Sequence, residues 1–287
     1  MVYPRERIVG ILTGLEDLPT ISAVVAEVNR IVADPESSAA DLGDIISRDQ
    51  SLTARLLRLA NSAVFARRGG ISKITDAIVA LGFTRVRSAV LACAVRDALD
   101  VQADPPLVQA IWRHALVTAS TARRISEVTG LRDPEEVFVA GLLHDVGRLA
   151  FLMICPEPYR GCLGSVTPSR SLYDVERETL GITHAELGSR LLMRWNLPLS
   201  ITIAAAGHHQ PERGHEHSLL MSLVSVSNEA ANRAGVFAGD PYPRELPWNR
   251  LSELLPLRES DLDRVIGTAK EELGSAEAFL GSLAAPA

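Results

Sequence analysis

The chain has 287 residues, of which 47% are apolar and 22% charged, enough for one large domain or two smaller ones with a substantial core. Its net charge of −6 argues against general nucleic-acid binding, which depends on Lys and Arg neutralising phosphates. Three cysteines, Cys93, Cys155 and Cys162, form no Cys-x-x-Cys pair; they give no disulfide framework and fit a reducing compartment.

Aromatic residues make up only 5%, so Leu, Val, Ile and Ala dominate and favour helices packed on helices. No apolar run is expected to approach the roughly 20 residues that span a bilayer. The N-terminus mixes acidic and basic residues without a secretory apolar core. No membrane association and a cytoplasmic location are therefore expected.

Along the chain, Pro19-Thr20 opens a helix through Val24, Val25, Val28, Ile31 and Val32, and Asp34-Pro35 stops it, because the residue before proline is pushed out of the helical region. Ser38 and Asp41 have the spacing of a capping box before Leu42, Ile45 and Ile46. After a break at Asp49-Gln50-Ser51, Leu52, Leu56 and Leu59 recur at helical spacing. Gly69-Gly70 reads as a turn, and Ile71, Ile74, Ile78 and Leu81 form a stripe ended by Gly82. Val86, Ala89, Val90 and Cys93 continue in the next helix. Asp97 to Pro106 is the expected boundary between two halves, residues 1–104 and 105–287.

The second half opens with a helix from about Leu107 to Val128, stopped by Gly130. Asp133-Pro134-Glu135-Glu136 is a strong helix start, with an acidic cap, proline in the first turn and acids at the positive end of the dipole. That helix is expected to run through His144 and Asp145. Thr183 and Glu186 form a second capping box, and Leu187, Leu191 and Trp195 lead to Pro198. Residues 199–207 deliver His208-His209 at a helix end. Further helices are expected over Leu219–Ala234 and Ser260–Leu280, with an irregular Gly235–Pro256 between them, where Tyr242, Pro243 and Trp248 are expected to pack against the bundle, with a lid as the alternative. No segment alternates as a strand would.

Neutral imidazoles and carboxylates serve Zn, Fe, Mn or Ni, with typically four to six donors around an ion. His114, His144, Asp145, His184, His208 and His209 lie on or at the ends of helices in the second half, and facing helices of a bundle can aim such side chains at one point. Successive residues of one helix point about 100° apart, so a continuous helix lets His144 and Asp145 share an ion only along one edge. His215 and His217 sit in a polar turn and read as solvated.

Taken together, these motifs resemble those of a known family. The order His114, His144-Asp145, His184, His208-His209 is similar to that of the HD superfamily of metal-dependent phosphohydrolases. Ser47-Arg48-Asp49-Gln50-Ser51-Leu52-Thr53-Ala54-Arg55-Leu56-Leu57-Arg58-Leu59-Ala60-Asn61-Ser62-Ala63, Ile71-Ser72-Lys73-Ile74, Ala77-Ile78-Val79-Ala80-Leu81-Gly82 and Trp195-Asn196-Leu197-Pro198 resemble its HDOD branch over about residues 15–235. The resemblance implies an all-α fold, a small N-terminal helical bundle packed on an HD-like bundle, and a role in bacterial signal transduction.

Three departures qualify what the resemblance implies about chemistry. The late aspartate of HD enzymes aligns with Asn228, an oxygen donor without charge. The lysine that often follows the His-Asp doublet is Arg148, which clamps phosphate but donates a proton poorly. The Gly-Tyr-Pro signature of the cyclic di-GMP phosphodiesterases is missing after His208-His209, so that hydrolysis is not expected.

The leading expectation is a regulatory protein with a catalytically degenerate site, in which His114, His144, Asp145, His184, His208, His209 and Asn228 hold a divalent transition metal. Its expected partners are a signalling protein, a nucleotide ligand and a second copy in a homodimer. Asn61, Ser62, Arg55, Arg58, Arg67 and Arg68 are candidates for a docking surface, with solvated faces and a helix cap as the alternative. Two other functions stay open. One is an active phosphohydrolase of a nucleotide or other phosphoester, using Asp145 and Arg148; the other is a metal-free interaction scaffold.

Overall fold

The computed structural model describes residues 5–61, 70–211, 215–240, 255 and 258–283. Its helices are α1 (Arg5–Asp17), α2 (Ala23–Ala33), α3 (Ala39–Ser47), α4 (Gln50–Ala60), α5 (Ile74–Leu81), α6 (Phe83–Ala98), α7 (Pro105–Thr129) and α8 (Pro134–Leu143). They continue with α9 (Val146–Ile154), α10 (Pro156–Leu163), α11 (Leu172–Leu180), α12 (His184–Arg194), α13 (Leu199–Gly207), α14 (Ser218–Arg233) and α15 (Glu259–Leu283). Among the described residues the one β feature is a bridge between Thr167 and Arg170. The fold is all-α.

The chain divides into two compact units, Met1–Leu18 with Val101–Leu273, and Pro19–Asp100 with Gly274–Ala287. Helix α1 belongs with the later residues instead of with the first hundred. The cause is local: Gly14 admits Ile154 of α9, and the Arg194 guanidinium donates to the carbonyls of Leu15 and Leu18 at the end of α1, at 2.5 and 2.8 Å.

In the unit of Pro19–Asp100, apolar stripes of α2 to α6 bury Leu42, Ile46, Leu56 and Ile78 completely. Ser38 and Asp41 make the expected capping box at α3, and Asp49 caps α4 through Leu52. The start of α2 is later than expected, because the Ser22 hydroxyl, and not Pro19-Thr20, accepts from Val24. Two docking candidates have structural roles. The Arg55 side chain is buried and donates to both oxygens of Asp97 at 2.8 and 2.9 Å. Asn61 caps α4, donating to Leu57 and Ile71 carbonyls and accepting from the Ile71 amide. Ser62, Arg67, Arg68 and the Gly69 turn lie outside the described residues, as do Tyr242, Pro243 and Trp248.

The larger unit is built on α7, which packs against α8 and α14, while α12 packs against α9 and α13. Asp104 caps α7 ahead of two prolines, and Gly130 ends it at φ 66°. Thr183 and Glu186 form the expected capping box at α12, and Asn196, at φ 54°, turns the chain out of it. Helices α10 and α11 were not expected from sequence. The stretch Pro134–Ile154 also corrects an expectation. By length and composition it is apolar enough to cross a membrane, but 89% of its 18-residue apolar window is buried inside the protein, which is how a core helix pair reads.

Candidate metal centre

The expected continuous helix through His144-Asp145 is broken there: α8 ends at Leu143 and α9 starts at Val146. His144 is the cause. Its Nδ1–H donates to its own helix's Gly141 carbonyl at 2.6 Å, taking an acceptor that a continuing helix would give to a backbone amide. His208 repeats the device at the end of α13, donating from Nδ1 to Ala205 at 2.9 Å. The break releases His144 and Asp145 from the angular constraint of one helix, and both point into the same interior.

Close helix crossings bring the remaining ligands in. A Cβ on Gly147 would stand 1.9 Å from the His184 carbonyl oxygen and 2.7 Å from the Gly188 nitrogen, so α9 and α12 touch backbone to backbone beside Asp145 and His184. Gly141 meets the Ala119 Cα of α7 in the same way, at 2.7 Å. These contacts need glycine for lack of space.

His114, His144, Asp145, His184 and His208 are each 2% exposed or less, and His209 is half-buried. Four of the imidazoles are fixed from outside. The Nδ1–H of His114 donates to the Val236 carbonyl at 2.7 Å, and that of His184 to Glu176 Oε2 at 2.6 Å, in addition to the His144 and His208 bonds above. With Nδ1 as donor, a neutral ring presents a bare Nε2 lone pair inward. Three of those lone pairs, from His144, His184 and His208, converge on Asp145. His144 Nε2 is 3.5 Å from Oδ2; His184 and His208 Nε2 are 3.3 and 3.6 Å from Oδ1. His184 Nε2 is 3.0 Å from His209 Nε2. The donors form two groups compatible with an ion, His114–His144–Asp145 and His184–His208–His209.

Both Asp145 oxygens and the Nε2 atoms of His144 and His208 are buried without a hydrogen-bond partner among the described residues. Unpaired buried acceptors are costly, and a set made only of acceptors is satisfied by a cation. The charges agree. The carboxyl groups of Asp145, Glu176 and Asp240 are all buried, with one buried guanidinium, Arg148, among them. Arg148 Nε lies 2.8 Å from Asp145 Oδ2, and its Nη1 is 3.0 Å from Asp240 Oδ1 and 3.3 Å from the Ala238 carbonyl.

Burial disfavours charge on these groups, and the neighbours decide the outcome. For Asp145, Arg148 and then the imidazoles outweigh burial and hold the carboxyl well below its usual range. For Arg148, burial is outweighed by Asp145 and Asp240, which keep it a cation. For His144, burial dominates and pushes the imidazole down to about 4. Burial likewise lowers His208 and His209. These three rings are therefore neutral at pH 7, the form that ligates metal.

Asn228 is brought to the cluster, with Oδ1 2.8 Å from His114 Nε2. Glu229, next in sequence, pairs with Arg233 Nε at 2.6 Å. His217 is half-buried rather than solvated, with a side chain 19% exposed. Sequence reasoning missed Glu176 and Asp240. Glu176 was findable: it falls on the apolar stripe of Leu172, Val175 and Leu180, where a surface acid does not belong. Asp240, between Gly239 and Pro241, carries no such signal.

With this geometry in hand, the likeness to known proteins can be placed. The HDOD domain model matches residues 18–211. The chain belongs to the HDOD family. All six His and Asp residues of the centre lie within that match, and Asn228 and Asp240 lie beyond it. An HDOD domain protein of unknown function from Geobacter sulfurreducens is 25% identical, with 97% of this chain and 98% of that one aligned at a TM-score of 0.80. A protein from Marinobacter aquaeolei, named provisionally as a signal transduction protein, shares the fold at 22% identity and a TM-score of 0.79, over 93% of this chain and 60% of that one. An uncharacterized protein of Treponema pallidum is 26% identical over 223 residues, 76% of this chain and 43% of that protein. The chain thus spans less than half the length of that relative.

Proposed function

We propose that this chain is a regulatory HDOD protein of bacterial signalling, which binds a divalent transition metal (Fe, Mn, Ni or Zn) at the centre around Asp145. One observation carries the reading: His144, His184 and His208 are tied outward through Nδ1 and direct Nε2 at a buried carboxylate, Asp145, whose Oδ1 lacks a hydrogen-bond partner among the described residues. Bound metal supplies Lewis acidity toward a phosphoester oxygen. The protein's own groups favour regulation over turnover. Arg148, the cation best placed to steady a phosphate, is engaged by Asp145 and Asp240, and Asn228 brings no charge to the site. A signalling protein is the partner proposed, and a nucleotide the ligand.

The second reading is an active phosphohydrolase. It is favoured by the two ligand groups on either side of one carboxylate, a pattern suited to a pair of ions. Metal analysis of tag-free protein, followed by assays with Mn, Fe or Ni against cyclic dinucleotides, nucleotides and a generic phosphodiester, separates the readings. A filled site without turnover supports regulation. Turnover abolished by Asp145→Ala establishes the hydrolase. Less than about 0.1 metal per chain after supplementation leaves a metal-free scaffold, since an intact high-affinity site would fill under those conditions.

A further inference from the structure

The two ligand groups around Asp145 are not equivalent, and the difference lies in what already occupies them. His114 Nε2 faces the Asn228 side chain at 2.8 Å. A carboxamide carries a donor as well as an acceptor, so with its NH2 turned to His114 Nε2 it satisfies that lone pair without an ion, as an ionised aspartate there would not. Asp145 Oδ2, the oxygen nearest His144, has Arg148 Nε 2.8 Å away. Arg148 is held from behind by Asp240 and the Ala238 carbonyl. It is a buried cation beside the place where an ion in the His114–His144 pocket would bind, and like charges at such range repel strongly in a low-dielectric interior.

Among the described residues, the other pocket has no guanidinium against it: His184 and His209 Nε2 pair with each other, but His208 Nε2 and Asp145 Oδ1 have no hydrogen-bond partner. His184 and His208 direct Nε2 at Asp145 Oδ1, and His184 and His209 Nε2 are 3.0 Å apart, within reach of a common ion at metal–nitrogen distances of about 2.0–2.1 Å. Charge balance points the same way. Three buried carboxylates and one buried guanidinium are neutralised by a single dication. A second would leave two uncompensated positive charges in the interior, a cost no described neighbour offsets.

We propose that the centre takes one divalent ion, held by His184, His208, His209 and Asp145 Oδ1, and that Arg148 occupies the role of a second ion in the His114–His144 pocket. This rests on the metal-binding reading above. His144 Nε2, without a hydrogen-bond partner among the described residues, is what remains of the second pocket, and restoring a carboxylate while removing the guanidinium reopens it.

The test is metal stoichiometry in the full tag-free chain, reconstituted with excess Mn(II), desalted and measured by inductively coupled plasma mass spectrometry. Wild type is expected to hold one Mn per chain. His209→Ala, at a half-buried position, falls to background, and His114→Ala keeps its ion. The double variant Arg148→Met/Asn228→Asp holds two. If circular dichroism shows that it does not fold, Arg148→Gln/Asn228→Asp, which keeps hydrogen-bonding groups for Asp240, replaces it. Two ions in wild type overturn the inference and leave the metal-binding reading standing. So does an ion lost in His114→Ala but kept in His209→Ala. A folded double variant that still holds one ion overturns the part assigned to Arg148. A wild type without metal removes the underlying reading as well.

Discussion

The α9–α12 crossing gives the sharpest quantitative expectation. In Gly147→Ala the new methyl would lie 1.9 Å from the His184 carbonyl oxygen, 2.8 Å from its carbon and 2.7 Å from the Gly188 nitrogen, whereas real Cβ contacts stay beyond 3.0 Å. Every clashing atom is backbone, so no rotamer change relieves the overlap. The helices must part by about 1 Å. Overpacking in a dense interior costs typically 1–3 kcal/mol, and rigid backbone on the receiving side puts this case near about 3 kcal/mol. At about 2–4 °C per kcal/mol for a chain of this size, the melting temperature should fall by about 6–12 °C. The same displacement separates Asp145 from His184, so Mn affinity should drop more than about tenfold. Gly161→Ala is the control: nothing lies within 4 Å of its Cβ position, and alanine in a helix is favoured by up to about 1 kcal/mol. Thermal melts by circular dichroism and Mn titration by calorimetry measure both effects. A Gly147→Ala protein that melts within about 2 °C of wild type and binds Mn equally well would refute the crossing as the element that sets the centre.

Glu176→Gln removes the charge behind His184 but keeps one acceptor, and losing such an outer-shell partner lowers metal affinity about 10–100-fold; Mn titration checks this. Metal-free protein should lose stability as pH falls below about 6.5. Burial depresses His144 to about 4 and lowers His208 and His209, so the unfolded chain takes up protons that the folded one refuses, at about 1.4 kcal/mol per pH unit for each ring. Asp145 has the opposite linkage. Its depressed folded value contributes stability that is lost only in stronger acid, as pH falls through that value. Melting temperatures from pH 7.5 to 5 should therefore decline steadily, and a flat profile would contradict neutral burial of the imidazoles. Asp97→Ala leaves the Arg55 guanidinium buried without its bidentate partner. Because Asp97 is 58% exposed, screening holds the cost to about 1 kcal/mol. A melt a few degrees lower with unchanged metal content is the expected result.

The sequence made the helices legible where short-range chemistry sets them. Ser38–Asp41 and Thr183–Glu186 satisfy helix-end amides locally, and both boxes form as expected. The six His and Asp residues that the fold brings together were legible as a set, although each histidine alone reads as an ordinary surface or hydrogen-bonded core residue. What sequence did not carry is spatial. Nothing in the one-dimensional pattern says that Gly147 and Gly188 face each other, or that Arg148 reaches Asp240, 92 residues away in sequence. The break at His144 was missed for a related reason. Its apolar surroundings favour a continuous helix, and only an imidazole folding back onto Gly141 overrides that preference.

Arg148 is where sequence and structure differ most in meaning. Read along the chain, it is a phosphate clamp three residues beyond the doublet. In the fold its guanidinium is 6% exposed and turned to the carboxylate that a metal would need. An arginine there cannot deprotonate to make way, as a lysine can, so its charge is a fixed part of the centre's balance. That places the difference between one ion and two in a single side chain and in the missing charge at Asn228. A site that lost its second ion this way keeps its imidazoles packed and neutral. Those imidazoles are therefore no measure of its chemistry; the charges around Asp145 are.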